Sequence, residues 1–203
     1  MVRMRENRDT LVLEDDACIA GMRRISCAIH KHGAVALAQI MLTGLATMPE
    51  DSIAAISRED FLRYKKAFVD AALRCQKAGF DGVELHADHG MYLGEISETS
   101  TRKDGYEGEL LGRLRLVTEL LQEIRALCGR DFVLAVRFGN ADYEELVQMA
   151  VAFEKAGAHL LDVSFGTRQY QPCRFWSRQQ GLCRLPGQGK DAAARHLRGQ
   201  HIH

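Results

Sequence analysis

Apolar and polar positions repeat along the chain in four similar blocks, each an amphipathic stretch, a glycine-containing turn and a short apolar run. Apolar residues at helical spacing predict helices over the amphipathic stretches, and the short bounded runs are typical of strands buried on both faces. Glycine at the end of a helix supplies the left-handed turn that a Cβ would resist. The predicted helices cover residues 19–31, 57–77, 108–128 and 142–155, and the predicted strands cover residues 34–40, 82–86, 132–137 and 160–164.

The alternation of helices and strands predicts an α/β fold in which a parallel sheet is connected by helical crossovers. A (β/α)8 barrel and a doubly wound sheet both have this pattern, and the four visible units are half of what a barrel needs. Ser57, with Asp60 three residues later, is the predicted N-cap of the second helix. The pattern alone leaves both architectures open.

Composition narrows the class of protein. The 203 residues include 27 Lys and Arg against 27 Asp and Glu, and this balance disfavours nucleic acid or an anionic membrane as the main partner. No apolar run is long enough to span a bilayer and the charged N-terminus is no signal peptide, so we expect a cytoplasmic protein. The six cysteines show no CxxC or zinc spacing, and we interpret them as reduced thiols that mostly pack.

The composition changes after Thr167. Residues 168–203 are rich in Arg, Gln, Gly and His and show neither a helical nor a strand period. Such a segment buries too little apolar surface to offset the entropy of ordering it. We therefore predict a domain over residues 1–167 and a poorly structured tail over residues 168–203. The tail is either a disordered basic segment or the product of a lost reading frame.

Polar side chains stand at the ends of all four predicted strands. Gln39 lies at the end of the first, His86 ends the second with His89 three residues on, Arg137 ends the third and Ser164 the fourth. Because parallel strands end at the same edge of a sheet, these residues predict one site. Two imidazoles can hydrogen-bond a carbonyl or phenolate oxygen, and a guanidinium can stabilise negative charge on a bound ring or anion.

Each of these residues also has a structural interpretation. Arg137 could pair with Glu84 or Asp162 on a neighbouring strand, and Tyr92 is either a general acid or a packing residue. Asp88 and Glu84 near the histidines could suggest a metal, but no further ligand is spaced for one. We therefore predict no metal site.

A longer motif follows the second predicted helix. The run Ala-Gly-Phe-Asp-Gly-Val-Glu-Leu-His ends at His86 and leads to His-Gly-Met-Tyr-Leu and then Arg-Lys-Asp-Gly-Tyr. Over residues 68–113 this stretch resembles the old yellow enzyme family of FMN-dependent NADH:flavin oxidoreductases and ene-reductases. Similar family patterns surround Gln39 and Arg137, so the resemblance covers roughly residues 19–167.

The resemblance implies a (β/α)8 TIM barrel with FMN at the C-terminal ends of the strands, of which this chain would form a partial barrel of about four βα units. Gln39 would hydrogen-bond the pyrimidine edge of the flavin, and Arg137 would stabilise the reduced ring. His86 and His89 would hold the carbonyl oxygen of the substrate. Hydride would pass from NADH or NADPH through the flavin to an α,β-unsaturated carbonyl compound, a small enone-like molecule.

The chain departs from the family pattern in two respects. Met91 stands where the family has a proton-donating tyrosine, which makes the adjacent Tyr92 the candidate for a catalytic role. The opening strands, and the last strands whose glycine-rich loops hold the FMN phosphate, have no counterpart in the sequence. An open half-barrel leaves two edge strands unpaired, and we expect self-association through them.

Three functions follow from these observations. The first is an FMN-dependent oxidoreductase. The second is a non-catalytic remnant of such an enzyme that does not retain FMN. The third, an aldolase-like lyase, would need a lysine at a strand end, and none of the four predicted strands ends in one.

Overall fold

Four parallel strands form one sheet in the order in which they occur along the chain. The computed structural model describes residues 12–42, 52–99 and 102–164. The strands are β1 (Leu37–Ile40), β2 (Gly82–Ala87), β3 (Val133–Gly139) and β4 (Leu160–Ser164). The helices are α1 (Cys18–His30), α2 (Ser52–Ala55), α3 (Arg58–Lys77), α4 (Tyr92–Thr99), α5 (Leu110–Cys128) and α6 (Tyr143–Lys155).

The four predicted helix–strand units are confirmed, with bounds that shift by one to three residues. The side chain of Ser57 accepts a hydrogen bond from the backbone N–H of Asp60 at 3.0 Å, as the sequence predicts. Asp142 caps α6 in the same way, accepting from the backbone N–H of Glu145 at 2.9 Å. The short helices α2 and α4 are additions that the sequence pattern did not predict.

The two faces of the sheet differ in chemistry. One set of alternating strand residues is apolar, almost fully buried and part of the same core as the inward faces of α3 and α5. This set comprises Ile40, Val83, Leu85, Ala87, Leu134, Val136 and Phe138. The opposite set is largely polar, and it includes Gln39, Glu84, His86, Arg137 and Asp162. Burying only one face of the sheet under helices is the arrangement of a barrel wall, whose other face lines the interior.

The parallel order and the one-sided helical layer agree with the predicted partial (β/α)8 barrel and not with a doubly wound sheet, which has helices on both faces. The predicted domain boundary at residue 167 and the tail over residues 168–203 lie outside the described residues. Within the described ranges, no helix combines the length and the apolar character that crossing a lipid bilayer requires.

Candidate active site

The sheet register gathers the predicted site residues on the polar face. His86 is the Cα partner of Arg137, and Arg137 is the partner of Asp162 on the next strand. Gln39 is the partner of Glu84, two residues before His86 and therefore about 7 Å lower along the strand direction. Because registered neighbours in a parallel sheet point to the same side, these side chains share one face. Gln39 occupies a lower layer than the other residues.

The two imidazoles meet at the end of β2. The chain turns sharply after Ala87, and His89 adopts a φ of 56°, an uncommon left-handed conformation for a residue other than glycine. This turn brings Nδ1 of His89 to 3.4 Å from Nε2 of His86, with the ring centroids 5.1 Å apart. A 3.4 Å contact is long for a hydrogen bond, so each imidazole can exchange it for a ligand oxygen.

His86 is the more buried imidazole, with 6% of its surface exposed. Burial is the main cause of a lowered pKa at His86, and the nearby charges of His89 and Arg137 lower the pKa further. The His86 imidazole is therefore neutral near pH 7. A neutral imidazole carries one N–H donor and one acceptor nitrogen.

Arg137 connects β3 to β4 and, through Ser164, to the histidines. Its Nη1 lies 3.6 Å from Oδ2 of Asp162, and its Nη2 donates to the hydroxyl of Ser164 at 3.3 Å. That hydroxyl is 2.9 Å from Nε2 of His89. Of the two structural partners considered for Arg137, Asp162 is the one observed. The Nε of Arg137 is buried without a hydrogen-bond partner among the described residues.

Gln39 and Glu84 form a separate pair below the histidines. Nε2 of Gln39 donates to Oε1 of Glu84 at 2.5 Å. Within the described residues the side-chain carbonyl of Gln39 makes no hydrogen bond, and the side chain is exposed on the open face. An acceptor is therefore available at this layer.

Tyr92 lies in the core, which favours the packing interpretation of this residue, and its catalytic role stays a prediction. Its side chain is fully buried, and its ring packs against three aromatic rings of α3. The hydroxyl has no hydrogen-bond partner among the described residues, and burial raises its pKa. Tyr92 is the first residue of α4. Because it stands one residue after Met91, its ring points into the core. The rings in contact with it are those of Phe61, Tyr64 and Phe68.

A helical signal in the sequence could have revealed this placement. Tyr92, Leu93 and Ile96 are spaced as one face of a helix, and all three are fully buried. The same α4 packs against the end of β2. Its glycine, Gly94, lies so close that a Cβ there would be 2.9 Å from the backbone of Asp88.

Asp88 and Ser164 are site residues whose contacts sequence reasoning did not anticipate. Asp88 lies between the two histidines in the sequence and is completely buried. Its Oδ2 lies 3.3 Å from Nε2 of His89. Gly139 makes room for it, because a Cβ at that position would be 2.8 Å from the same oxygen. Within the described residues no group of three or more His, Cys, Asp or Glu side chains could hold a metal ion.

The second part of the motif is structural. The guanidinium of Arg102 is 6% exposed, donates to both oxygens of Asp104, and also donates to the carbonyls of Ile53 and Ile56. It lies over the ring of Phe61, 4.4 Å from the centroid. Arg102 therefore joins α2, α3 and the loop before α5.

A parallel sheet with a one-sided helical layer, ending in a pair of imidazoles beside a guanidinium, defines a barrel-type α/β protein with a strand-end site. The profile of the NADH:flavin oxidoreductase / NADH oxidase family matches residues 48–163, more than half of the chain, and the chain belongs to this family. The resemblance to old yellow enzymes is thereby confirmed. FMN is the cofactor of this family, and NADH or NADPH is its reductant.

Three curated relatives illustrate the match. An NADH oxidase from Thermoanaerobacter brockii is 32% identical over 190 residues, covering 80% of this chain and 29% of the relative. An NADPH dehydrogenase from Halalkalibacterium halodurans is 32% identical over 174 residues, covering 74% of this chain and 51% of the relative. A multifunctional alkene reductase/demethylase from Caballeronia cordobensis is 31% identical, covering 76% and 26%. The chain thus spans between a quarter and about half of their lengths.

Solved structures agree on the fold. An old yellow enzyme homologue from Zymomonas mobilis superposes with a TM-score of 0.65 at 22% identity, covering 76% of this chain and 54% of that one. A 2-naphthoyl-CoA reductase in complex with 2-naphthoyl-CoA gives a TM-score of 0.68 at 23% identity, covering 76% and 30%. These likenesses confirm the partial barrel architecture.

Proposed function

We propose that the polar face of this sheet is part of the site of an FMN-dependent oxidoreductase, which transfers hydride from NADH or NADPH to an α,β-unsaturated carbonyl compound or a similar acceptor. The observation that supports it is the register of His86 with Arg137, which sets hydrogen-bonding imidazoles beside a cation on an uncovered face. The predicted cytoplasmic location belongs to the same proposal.

The residues present fit the ring system of FMN. Arg137 offers a cation with an unpartnered Nε, suited to an electron-rich ring edge, and Gln39 offers a free carbonyl that can accept from a ring N–H. Bound flavin supplies two-electron chemistry that no side chain can. The phosphate fits less well, because Arg137 is the only cation among the described strand residues on this face.

His86 and His89 would bind the acceptor. A carbonyl oxygen that replaces their mutual 3.4 Å contact accepts a hydrogen bond from Nε2 of His86, which is held by β2. This bond draws electron density from the conjugated double bond and makes its β-carbon a better hydride acceptor. It also fixes the orientation of the acceptor over the face.

The proton for the α-carbon comes from solvent in this proposal. Met91 has no proton to give, and the hydroxyl of Tyr92 is enclosed in the core. The side chain of Arg137 is 35% exposed, so water reaches this face.

The second candidate is a remnant that folds but does not retain FMN. Two observations favour it. Arg137 is the one cation among the described strand residues on this face, and the side-chain amide N–H of Gln39 is already hydrogen-bonded to the carboxylate of Glu84. The two candidates differ in one measurable property, which is affinity for FMN.

Titration of the purified full chain with FMN, followed by flavin fluorescence, decides between them. We expect quenching by the wild type and at least tenfold weaker binding by Arg137→Ala, because a charge-assisted hydrogen bond is lost. Arg24→Ala, on the exposed surface of α1, is the matched control and should bind like the wild type. Absence of quenching by the wild type would support the remnant. Equal FMN binding by the wild type and Arg137→Ala would contradict the proposed role of Arg137 in holding the flavin.

A further inference from the structure

Asp88 is a buried carboxylate that the proposed function does not use. Its Oδ1 accepts the backbone N–H of His89 at 2.7 Å. Its Oδ2 makes no hydrogen bond within the described part of the chain, although Nε2 of His89 lies 3.3 Å away. Buried carboxylate oxygens in proteins are normally hydrogen-bonded, so an oxygen left in this position calls for a physical reason.

The surroundings hold this carboxylate against His89. α4 approaches through Gly94, where a Cβ would lie 2.9 Å from the backbone of Asp88, and β3 approaches through Gly139, where a Cβ would lie 2.8 Å from Oδ2. A side chain at either glycine would force the carboxylate or its backbone to move. Because both positions are glycine, Asp88 can be enclosed with its carboxylate beside Nε2 of His89.

We infer that Asp88 is a positioning residue that keeps the hydrogen of the neutral His89 imidazole on Nε2, and thereby leaves the hydroxyl hydrogen of Ser164 free for a ligand oxygen. A neutral imidazole has a single N–H, which either nitrogen can carry. A carboxylate oxygen at 3.3 Å repels a nitrogen lone pair and stabilises an N–H. The hydroxyl of Ser164 does not oppose this choice, because it can donate to a bare nitrogen or accept from an N–H.

The rest of the network follows from that one hydrogen. With Nε2 of His89 protonated, its Nδ1 is an acceptor, and Nε2 of His86 must be the donor across their 3.4 Å contact. Nδ1 of His86 then carries no hydrogen, and it is buried without a partner in the ranges that the structure describes. This arrangement needs a neutral His86, and the lowered pKa of that imidazole keeps it neutral.

Ser164 becomes the remaining donor. Arg137 can only donate, so the Ser164 oxygen accepts from Nη2 at 3.3 Å and from Nε2 of His89 at 2.9 Å. Its own hydrogen then has no acceptor among the described residues. If the His89 hydrogen sat on Nδ1 instead, Ser164 would donate to Nε2 and have nothing left for a ligand. The ligand part of this inference rests on the proposed function, whereas the placement of the hydrogen does not.

The hydrogen is located by long-range ¹H–¹⁵N NMR correlations of the histidine rings in the full chain, at about pH 8.5, where ordinary imidazoles are neutral. We expect Nε2–H at His89 in the wild type and in Ser164→Ala, and a mixture or Nδ1–H in Asp88→Asn. Asp81→Asn is the matched control, since it alters a different histidine contact, the 2.8 Å pair with His30. His89→Gln assigns the signals.

Nδ1–H at His89 in the wild type, or a switch caused by Ser164→Ala and not by Asp88→Asn, would overturn the inference. The wild-type spectrum decides the placement of the hydrogen even if Asp88→Asn does not fold, and the folded Asp88→Asn variant decides the role of Asp88. A Nε2–H that Asp88→Asn leaves in place would also overturn the role of Asp88.

The ligand part is tested with 4-nitrophenolate, whose visible absorption reports on hydrogen bonds to its oxygen. Ser164→Ala should bind it about tenfold more weakly than the wild type, and Ser164→Thr, which keeps the hydroxyl, should bind it nearly as well. Equal binding by Ser164→Ala would refute the donor role. Failure of the wild type to bind the probe would count against that role and against the proposed function, while the NMR result still decides the role of Asp88.

Discussion

His86 and Arg137 are Cα partners across β2 and β3, so an imidazole and a guanidinium stand side by side on the sheet face turned away from the described helices. The partnership holds them in a fixed relation, because it is set by backbone hydrogen bonds rather than by flexible side-chain contacts. Ser164 and Asp162 extend the same face on β4. A ligand on this face would meet donors from His86 on β2, Arg137 on β3 and Ser164 on β4.

Tyr92 should contribute to stability and not to ligand binding. Tyr92→Phe removes a buried hydroxyl that has no partner in the described structure, so the free energy of unfolding should stay the same or rise by up to about 1 kcal/mol. Tyr92→Ala should lower it by about 3 kcal/mol or more through loss of packing. Urea unfolding measures both. Tyr106→Phe, which loses a 2.9 Å bond to Glu119, should cost about 1 kcal/mol by comparison.

A weaker binding of 4-nitrophenolate by Tyr92→Phe, at unchanged stability, would contradict the placement of Tyr92. It would mean that the hydroxyl reaches the histidine site.

Gly139 should not tolerate a side chain. A Cβ at this position would lie 1.6 Å from the backbone oxygen of Ser164, so Gly139→Ala must separate β3 from β4. We expect the free energy of unfolding to fall by about 3 kcal/mol. Gly21→Ala is the control, since nothing lies within 4 Å of a Cβ there, and alanine in a helix should raise stability by about 0.5–1 kcal/mol. Equal effects of the two substitutions in thermal or urea unfolding would contradict the close approach of the strands.

Arg102 should be a main stabilising residue of the loop before α5. Among the described residues, Arg102→Met leaves Asp104 with Arg58 as its one ion-pair partner and removes a donor from the carbonyls of Ile53 and Ile56, so we expect a loss of about 3 kcal/mol. Arg130→Met, at an exposed position, should change stability by no more than about 0.5 kcal/mol. A comparable, small effect in both variants would show that the Arg102 contacts are not formed in solution.

Stability should fall as the pH is lowered below about 6.5, the ordinary pKa of histidine. Burial, as the largest cause, lowers the pKa of both His86 and His159 in the folded protein. As the pH falls, these histidines bind protons in the unfolded chain at a higher pH than in the folded protein. Their contribution to the free energy of unfolding is therefore complete above the unfolded pKa and is lost as the pH falls toward the folded pKa. His86→Gln and His159→Gln should each flatten the slope of unfolding free energy between about pH 7 and pH 5. A wild-type slope of zero in that window would contradict both assignments.

The sheet should mediate self-association at its open edges. β4 has no strand beyond it in the described structure, and Leu160 and Val163 on this strand are nearly half exposed. We expect the full chain to elute above the monomer mass, and Val163→Lys to shift it toward the monomer, because an edge lysine opposes strand pairing. Val147→Lys on α6 is the matched control with a similar exposure. A wild type that stays monomeric at every concentration would contradict this expectation.

The sequence by itself determined the repeated helix–strand unit and the residues at the strand ends. Helical spacing in α3 and α5 and a glycine after each of the four long helices are local signals, readable without the rest of the chain. The placement of Gln39, His86 and Arg137 on one face also follows from sequence, because side chains alternate along a strand with a period of two. Four helix–strand units alone are compatible with a barrel and with a doubly wound sheet, and it was the family motif that indicated the barrel.

Only the tertiary structure decided what each polar group contacts. Arg137 pairs with Asp162 and not with Glu84, because β4 is its neighbour in register and Glu84 is already held by Gln39. Tyr92 lies in the core because α4 begins one residue after Met91, and a shift of one residue turns a helical side chain by about 100°. The burial of Asp88 depends on the close approach of Gly94 and Gly139, which lie on separate elements. Such contacts join residues distant in sequence, and no local pattern encodes them.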